Sequence, residues 1–216
     1  MEQHQVQELM QKMAEKMQDI SKTISGDDAE EFIKELLNTT WELNPESMWV
    51  PMRESKQVFV IGSGRSGLVA KAFAMRLMHM GLHAYVVSET TTPALNKGDV
   101  MVIFSKSAGT QDDPQEKPKG ETKGWTTMVT ALAEKVKRLE GNIWLITSEA
   151  NSPIGKNAHR TIIIEYLRNE KTDYESFGPL GTVFETASLV FADAVISRIM
   201  EETGTGPKDF QHTNLE

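Results

Sequence analysis

The chain has no cysteine, no long apolar run and no excess of positive charge. Without cysteine, disulfide bonds, thiolate zinc sites and cysteine nucleophiles are excluded. No stretch approaches the roughly 18 apolar residues of a membrane span, and the N-terminus lacks the basic-then-apolar pattern of a signal peptide. We therefore expect a cytoplasmic protein without a membrane partner.

The charge balance is acidic, with 23 lysine and arginine residues against 31 acidic ones and a formal net charge of -8. A broad electrostatic surface for nucleic acid is therefore not expected, and any phosphate must be bound by local groups. The 216 residues, of which 39% are hydrophobic, are sufficient for one packed domain with an appendage.

Two amphipathic helices are predicted before Pro45. The first has the alternating four- and three-residue spacing of a single helix seam, at Val6, Met10, Met13, Met17, Ile20 and Ile24. The second runs from Phe32 to Trp41. We assign residues 1–45 to an N-terminal helical unit, whose methionine-rich stripe is either core or a contact between subunits.

Beyond residue 56, short apolar runs alternate with helical patterns, which is typical of βαβ units around a parallel sheet. Helices are predicted after the first strand, at about 127–139 and from Val183 to Met200. The predicted strands are Gln57–Ile61, Ala84–Ser88, Val100–Ser105, Asn142–Thr147 and Thr161–Glu165. The sequence thus predicts one α/β domain over residues 46–216, with a five-stranded parallel sheet.

The segment from Gly109 to Thr126 does not follow this pattern, because it is rich in charge, glycine and proline and has no apolar period. We predict a long loop over 109–126. Loops longer than about 12–15 residues in compact domains are often lids or binding loops. A solvated insertion and a lid over a strand end both fit this segment.

The first predicted strand leads directly into Gly62-Ser-Gly-Arg-Ser-Gly67, which matches G-x-G-x-x-G between a strand and a helix. One interpretation is a dinucleotide site, because Glu89 follows at about the distance of a ribose-binding acid, about 20 residues on. The physics is more general, since glycines admit a close approach and helix N-terminal N–H groups face an anion. Such a loop can bind any phosphate group, not only that of a dinucleotide.

The third predicted strand ends in a second cluster of hydroxyl groups, Ser105, Ser107 and Thr110. Neighbouring strands of an open α/β sheet direct their carboxyl ends to one crevice, so these groups can converge with Ser66 on one phosphate. A dinucleotide does not require the second cluster. Ordinary turn and cap serines are the alternative.

The blocks Gly62-Ser-Gly-Arg-Ser-Gly67 with LVAKAFAMRLMHMG, and Glu89-Thr-Thr-Thr-Pro93, resemble the sugar isomerase (SIS) domain family, most closely its 6-phospho-3-hexuloisomerases. Further similar blocks are Ser152–Lys156, Pro179–Glu185 and His212–Glu216. The resemblance implies a flavodoxin-like three-layer sandwich, and a homotetramer that shares active sites between subunits. It implies phosphosugar binding by Gly64, Arg65, Ser66, Glu89, Thr92, Ser105, Ser107 and Thr110.

The second loop departs from the family pattern Ser-Gly-Ser-Gly-Glu-Thr. Lys106 stands at a glycine place, Gly109 at the glutamate place, and the 109–126 segment follows. Glu121-Thr122 within that segment would restore a Gly-Glu-Thr. This departure fits either an altered activity or stronger phosphate binding, because Lys106 adds a cation.

Moving a ketone between adjacent sugar carbons needs a base that removes a proton from one carbon and returns it to the next through an enediolate. Glu185, in the family block Gly-Thr-x-Phe-Glu, is the candidate base. The alternative is a capping box in which Glu185 only bonds the Thr182 backbone. By resemblance, His212 would enter a neighbouring subunit's site to open the sugar ring or move protons between oxygens.

No His, Asp or Glu spacing is typical of a metal site, so we expect neither metal nor cofactor. His79 and His83 are expected at the end of the helix after the first strand, with His79 a weaker candidate for the crevice. The leading hypothesis is an isomerase that interconverts 3-hexulose 6-phosphate and fructose 6-phosphate. The rivals are a phosphosugar-binding regulatory protein that has lost the chemistry and a nicotinamide-dependent enzyme.

Overall fold

The computed structural model describes residues 6–46, 48–51, 56–110, 120–165 and 182–206. It begins with two helices, α1 (Val6–Ser21) and α2 (Gly26–Thr40). The Ser25 hydroxyl caps α2 by accepting a bond from the backbone N–H of Asp28 at 3.2 Å. The helical beginning predicted from the apolar seam is confirmed.

The remaining elements are seven strands, three α-helices and one short 3-10 helix in the described residues. Their bounds are β1 (Trp41–Leu43), β2 (Trp49–Pro51), β3 (Val58–Gly62), α3 (Gly64–His79), β4 (Ala84–Val86), β5 (Val100–Phe104), α4 (Gly120–Arg138), β6 (Asn142–Thr147), a 3-10 helix over Gly155–Asn157, β7 (Arg160–Ile163) and α5 (Thr182–Thr203). Strands β3 to β7 form one parallel sheet in the order β4-β3-β5-β6-β7. This is the flavodoxin-like order, so the expected fold class is confirmed.

The sheet separates two apolar layers, because successive side chains of a strand point to opposite faces. Val58 and Val60 belong to the layer that contains side chains of α2, α3 and α5. Phe59 and Ile61 belong to the other layer, with Val129 and other side chains of α4. The five strands therefore lie between helices on both sides, which gives three layers.

Helix α2 packs into the same core as the sheet. The Phe32 ring is fully buried and its centroid lies 4.7 Å from that of Trp144 on β6 and 6.4 Å from that of Phe191 on α5. The Trp144 indole N–H donates to the Glu35 carboxylate at 2.7 Å. The N-terminal helices thus stabilise the sheet directly, and the boundary at residue 45 remains a prediction.

The loop predicted over 109–126 is wrong in its second part, because α4 begins at Gly120 rather than near residue 127. Trp125, the one large apolar side chain of that segment, packs against the α4 layer of the core, and this contact favours the longer helix. Residues 111–119 lie outside the described residues. The short antiparallel pair β1–β2 was not predicted.

Candidate active site

The candidate site lies where β3 and β5 end side by side. Gly62 at the end of β3 pairs in register with Phe104 at the end of β5. From β3 the chain proceeds to β4 on one side of it, whereas β5 lies on the other side, so the sheet changes direction here. Such a switch point opens a crevice that binds ligands in α/β proteins. We call it the strand-end crevice, formed by residues 63–67 and 105–110.

The glycines of the first loop have separate roles. A Cβ on Gly62 would lie 2.5 Å from the Ser66 carbonyl oxygen, and one on Gly67 would lie 2.8 Å from the Gly62 carbonyl oxygen. These two glycines let α3 begin directly against β3. Gly64 has a φ of +52° and nothing lies within 4 Å of an added Cβ, so this side of the turn is open to a ligand.

Glu185 reaches the crevice from the first turn of α5. Its Oε2 lies 3.4 Å from Arg65 Nε, and its Oε1 accepts from the Ser66 hydroxyl at 3.5 Å. The Glu185 side chain is only 11% exposed. The structure thus brings together Arg65, Ser66 and Glu185, which are some 120 positions apart in the sequence.

The electrostatics of this carboxyl are set by opposing effects. Burial raises the pKa of Glu185 above its ordinary value, and this is the largest effect. The charge and hydrogen bond of Arg65, the backbone N–H of Glu185 itself and the charge of Lys106 lower the pKa. A carboxyl with such a perturbed environment is a candidate for proton transfer, and the role of Glu185 as a base stays a prediction.

The hydroxyls of the second loop are partly engaged in its own turn. Ser105 Oγ accepts from the Ala108 backbone N–H at 3.2 Å, and the Thr110 hydroxyl donates to the Ser107 carbonyl at 2.7 Å. Ser105 is 9% exposed, and Ser107 is half-buried. The turn interpretation therefore holds for Ser105 and Thr110, although Ser105 keeps its O–H for a ligand.

The Lys106 backbone is fixed by the end of β6, which the sequence did not indicate. Its carbonyl accepts from the Thr147 hydroxyl at 2.8 Å and from the Ser148 hydroxyl and N–H at 3.0 and 3.1 Å. Behind the loop, the Ile154 N–H donates to the Ala108 carbonyl at 3.2 Å. A run of hydroxyl residues after an apolar strand is the only signal that pointed to Thr147 and Ser148.

Glu89 and Thr92 follow β4, the edge strand next to β3. The Glu89 carboxylate pairs with Lys71 on α3 at 2.7 Å, and both side chains are about half exposed. The Thr92 hydroxyl donates to the Val86 carbonyl at 2.5 Å. No contact within the described residues joins either side chain to Glu185, so their role in binding stays a prediction.

The prediction of His79 as a residue at the end of a helix is confirmed, whereas its weaker candidacy for the crevice is wrong. His79 ends α3, 16 residues long, and a rise of about 1.5 Å per residue places it more than 20 Å from the glycine loop. His212 lies outside the described residues. In the described parts of the chain, no group of three metal-ligating side chains is present, and no helix is long and apolar enough to cross a bilayer.

Known proteins resemble this chain over most of its length. The SIS domain family matches residues 52–113. The 3-hexulose-6-phosphate isomerase of Bacillus subtilis is 36% identical over 200 residues, which cover 86% of this chain and 98% of that protein. The enzyme of the same name from Methanocaldococcus jannaschii is 32% identical and covers 82% of this chain and 87% of its own length.

A solved structure shows the same architecture. It is a crystal structure of a Methanococcus jannaschii protein for which the function of 3-hexulose-6-phosphate isomerase was inferred. It has a TM-score of 0.69 and 27% identity, and it covers 94% of this chain and 97% of that one. With the crevice, the glycine loop and the buried carboxylate in place, the chain belongs to the 3-hexulose-6-phosphate isomerase family of SIS-domain proteins.

Proposed function

We propose that this chain interconverts 3-hexulose 6-phosphate and fructose 6-phosphate through a 2,3-enediolate, without a cofactor. The observation that supports this most is the Glu185 carboxylate, 11% exposed, in contact with the first turn of the glycine loop helix. The kinship with isomerases of that name at up to 36% identity supports the substrate. A regulatory protein without turnover is the alternative.

The substrate phosphate is proposed to bind between the two loops of the crevice. The open side of Gly64 and the N–H groups at the start of α3 accept an anion, and Arg65 and Ser66 supply a cation and a hydroxyl. Ser107 and the O–H of Ser105 complete the contacts from the second loop. Thr110 also contacts the phosphate if its hydroxyl turns away from the Ser107 carbonyl, to which it donates in the structure.

In the proposed reaction, Glu185 takes the proton from the carbon next to the ketone. The electron pair of that C–H bond forms the double bond of the enediolate, and the former ketone oxygen carries the negative charge. A proton passes between the two oxygens, and Glu185 returns its proton to the other carbon. The charge of Lys106 acts on Glu185 and is proposed to stabilise the negative charge of the enediolate. His212 of a neighbouring subunit is proposed to assist ring opening and transfer between oxygens.

The shared site requires an oligomer, and we propose a homotetramer in the cytoplasm. Large apolar side chains are exposed on α1 and α5, where Val6 is 72%, Met10 67% and Val190 54% exposed. Such positions suit a contact between subunits better than contact with water. Light scattering at micromolar concentration should give four times the mass of 24.2 kDa. A stable monomer would remove the role of His212.

Hydrogen exchange tests the proposed reaction directly. Fructose 6-phosphate is incubated with the protein in D2O, and deuterium is located by NMR. A base that forms the 2,3-enediolate exchanges the hydrogen on C3, whereas an aldose-forming isomerase exchanges hydrogen on C1. Deuterium at C3 that is lost in Glu185→Gln is the expected result. Binding of fructose 6-phosphate without exchange would support the regulatory alternative instead.

A further inference from the structure

The Glu185 base is restrained on both carboxylate oxygens in the structure. Oε2 faces Arg65 Nε at 3.4 Å, and Oε1 faces the Ser66 hydroxyl at 3.5 Å. A carboxylate that takes a proton from carbon must direct one oxygen at that carbon, free of a competing cation. Because α3 holds both oxygens, the arrangement is that of a base that waits for release.

The contact with Arg65 is loose. Charge-assisted N–H to O bonds are commonly about 2.7–2.9 Å long, whereas this one measures 3.4 Å. The Arg65 side chain is 54% exposed, so water screens the pair, and exposed pairs of this kind contribute little. A phosphate dianion offers more charge and two oxygens for a bidentate bond, and is therefore a stronger partner for the guanidinium.

The proposed phosphate position lies next to this guanidinium. Gly64, which immediately precedes Arg65, leaves open space around the position of an added Cβ. The start of α3 directs N–H groups to the same space. Because Arg65 directly follows Gly64, a phosphate bound at this loop would compete with Glu185 Oε2 for the Arg65 guanidinium.

We propose that Arg65 releases the Glu185 carboxylate when the substrate phosphate binds, so that the base is free only in the enzyme that holds a phosphosugar. The inference rests on the proposed function and makes Arg65 a positioning residue for the base. It also predicts that a sugar without phosphate reacts slowly even when it saturates the site, because Arg65 then stays on the carboxylate.

The charges that face Glu185 fit this exchange. Arg65 faces it from α3 and Lys106 from the loop after β5, and both lower its pKa against the effect of burial. Loss of the Arg65 contact raises the proton affinity of the carboxylate. The Lys106 backbone is held by Thr147 and Ser148, so this second cation stays on the loop beside the crevice when Arg65 leaves.

The test is an NMR titration of the Glu185 carboxyl carbon, assigned by its loss in Glu185→Gln. It compares wild type with Arg65→Gln, without ligand and with saturating fructose 6-phosphate. In the free proteins, Arg65→Gln should raise the pKa of Glu185 by about 0.5 to 1 pH unit, because a nearby cation is removed from a partly screened pair. With fructose 6-phosphate bound, the pKa of Glu185 should be the same in wild type and in Arg65→Gln. Arg76→Gln, exposed on the same helix, is the control.

Two results would overturn the proposal. The same difference with and without fructose 6-phosphate would show that Arg65 stays on the carboxylate in the complex. No difference in either state would show that Arg65 does not act on Glu185. Arg65→Met, which also removes the cation, gives the same comparison if the glutamine variant fails to fold. The titration does not depend on turnover. If D2O exchange shows that the protein is not an isomerase, that result is therefore independent of the result for Arg65.

Discussion

The change Glu185→Gln separates a catalytic carboxylate from a helix cap. Glutamine keeps the size of the side chain and its acceptor oxygen, but cannot take a proton from carbon. Loss of a positioned general base lowers turnover by about 10²–10⁴-fold. If Glu185 is only the cap of α5, turnover should stay near normal and stability should fall by about 1 kcal/mol or less, because glutamine keeps most of the capping capacity.

The expected effect of this change on stability is small. The Arg65 partner of Glu185 is 54% exposed, which limits the ion pair to about 1 kcal/mol or less. The Ser66 hydroxyl is at 3.5 Å, the far end of hydrogen-bond range, and can donate to the glutamine oxygen instead. We therefore expect the free energy of unfolding to change by no more than about 1 kcal/mol, or about 2–4 °C in Tm.

The raised pKa of Glu185 determines whether Glu185→Gln stabilises or destabilises the folded protein at a given pH. Because burial raises the pKa of Glu185 in the folded protein, the wild-type carboxyl favours the folded state while protonated. That contribution is complete below the unfolded pKa and is lost as the pH rises through the folded pKa. Glutamine does not ionise, so at pH 7 the variant should be as stable as wild type or more stable, and the gain should disappear in acid.

The assay combines turnover with urea unfolding at pH 7 and at pH 4. The control is Glu201→Gln on the same helix, where the side chain is 73% exposed and no effect on turnover is expected. A Glu185→Gln protein that turns over normally and loses stability at pH 7 would refute the catalytic role. A slow protein with unchanged fructose 6-phosphate binding would support it.

Three further changes test other parts of the site and fold. Ser107→Ala should raise the KM for the phosphosugar about 10-fold or more, as a lost bond to a charged group does, with Tm unchanged by differential scanning calorimetry. Lys106→Met removes a charge that lowers the pKa of Glu185, so the acid limb of the kcat/KM profile should move to higher pH. Asp99→Asn should cost about 2–3 kcal/mol in urea unfolding while kcat is retained, because the buried Asp99 carboxylate accepts the N–H groups of Gln57 and Asn96 at 2.9 and 2.6 Å, at the edge opposite the crevice.

The sheet was predictable because each of its strands is a short apolar run between clear helical patterns. The pair β1–β2 was missed because strands of three residues are too short to show a period of two. The start of α4 was missed for a different reason. Its first residues include Gly120 and Gly124, which disfavour a helix locally, and only the packing of Trp125 against the core favours one.

The parts of the site that are formed by residues close together in the sequence could be predicted. Gly62 and Gly67 lie close in sequence and in space, so their spacing reveals the turn. The contact between Arg65 and Glu185 joins residues 120 positions apart, and the contact between Lys106 and Thr147 joins residues 41 apart. Such pairs follow from the packing of helices on the sheet. The family resemblance places Arg65 and Glu185 in one site, but the sequence alone does not show their contact.

The second loop closes on itself before the chain moves away from the crevice. Thr110 bonds back to Ser107, Ser105 holds Ala108, and Ile154 fixes the same turn from behind. The groups that face the ligand are therefore held by contacts that do not involve residues 111–119. A longer connection costs little, since the entropy of loop closure grows only with the logarithm of length. A fluorescent reporter domain inserted between residues 110 and 120 should therefore leave the turn of the second loop in place, and with it the affinity for the phosphosugar.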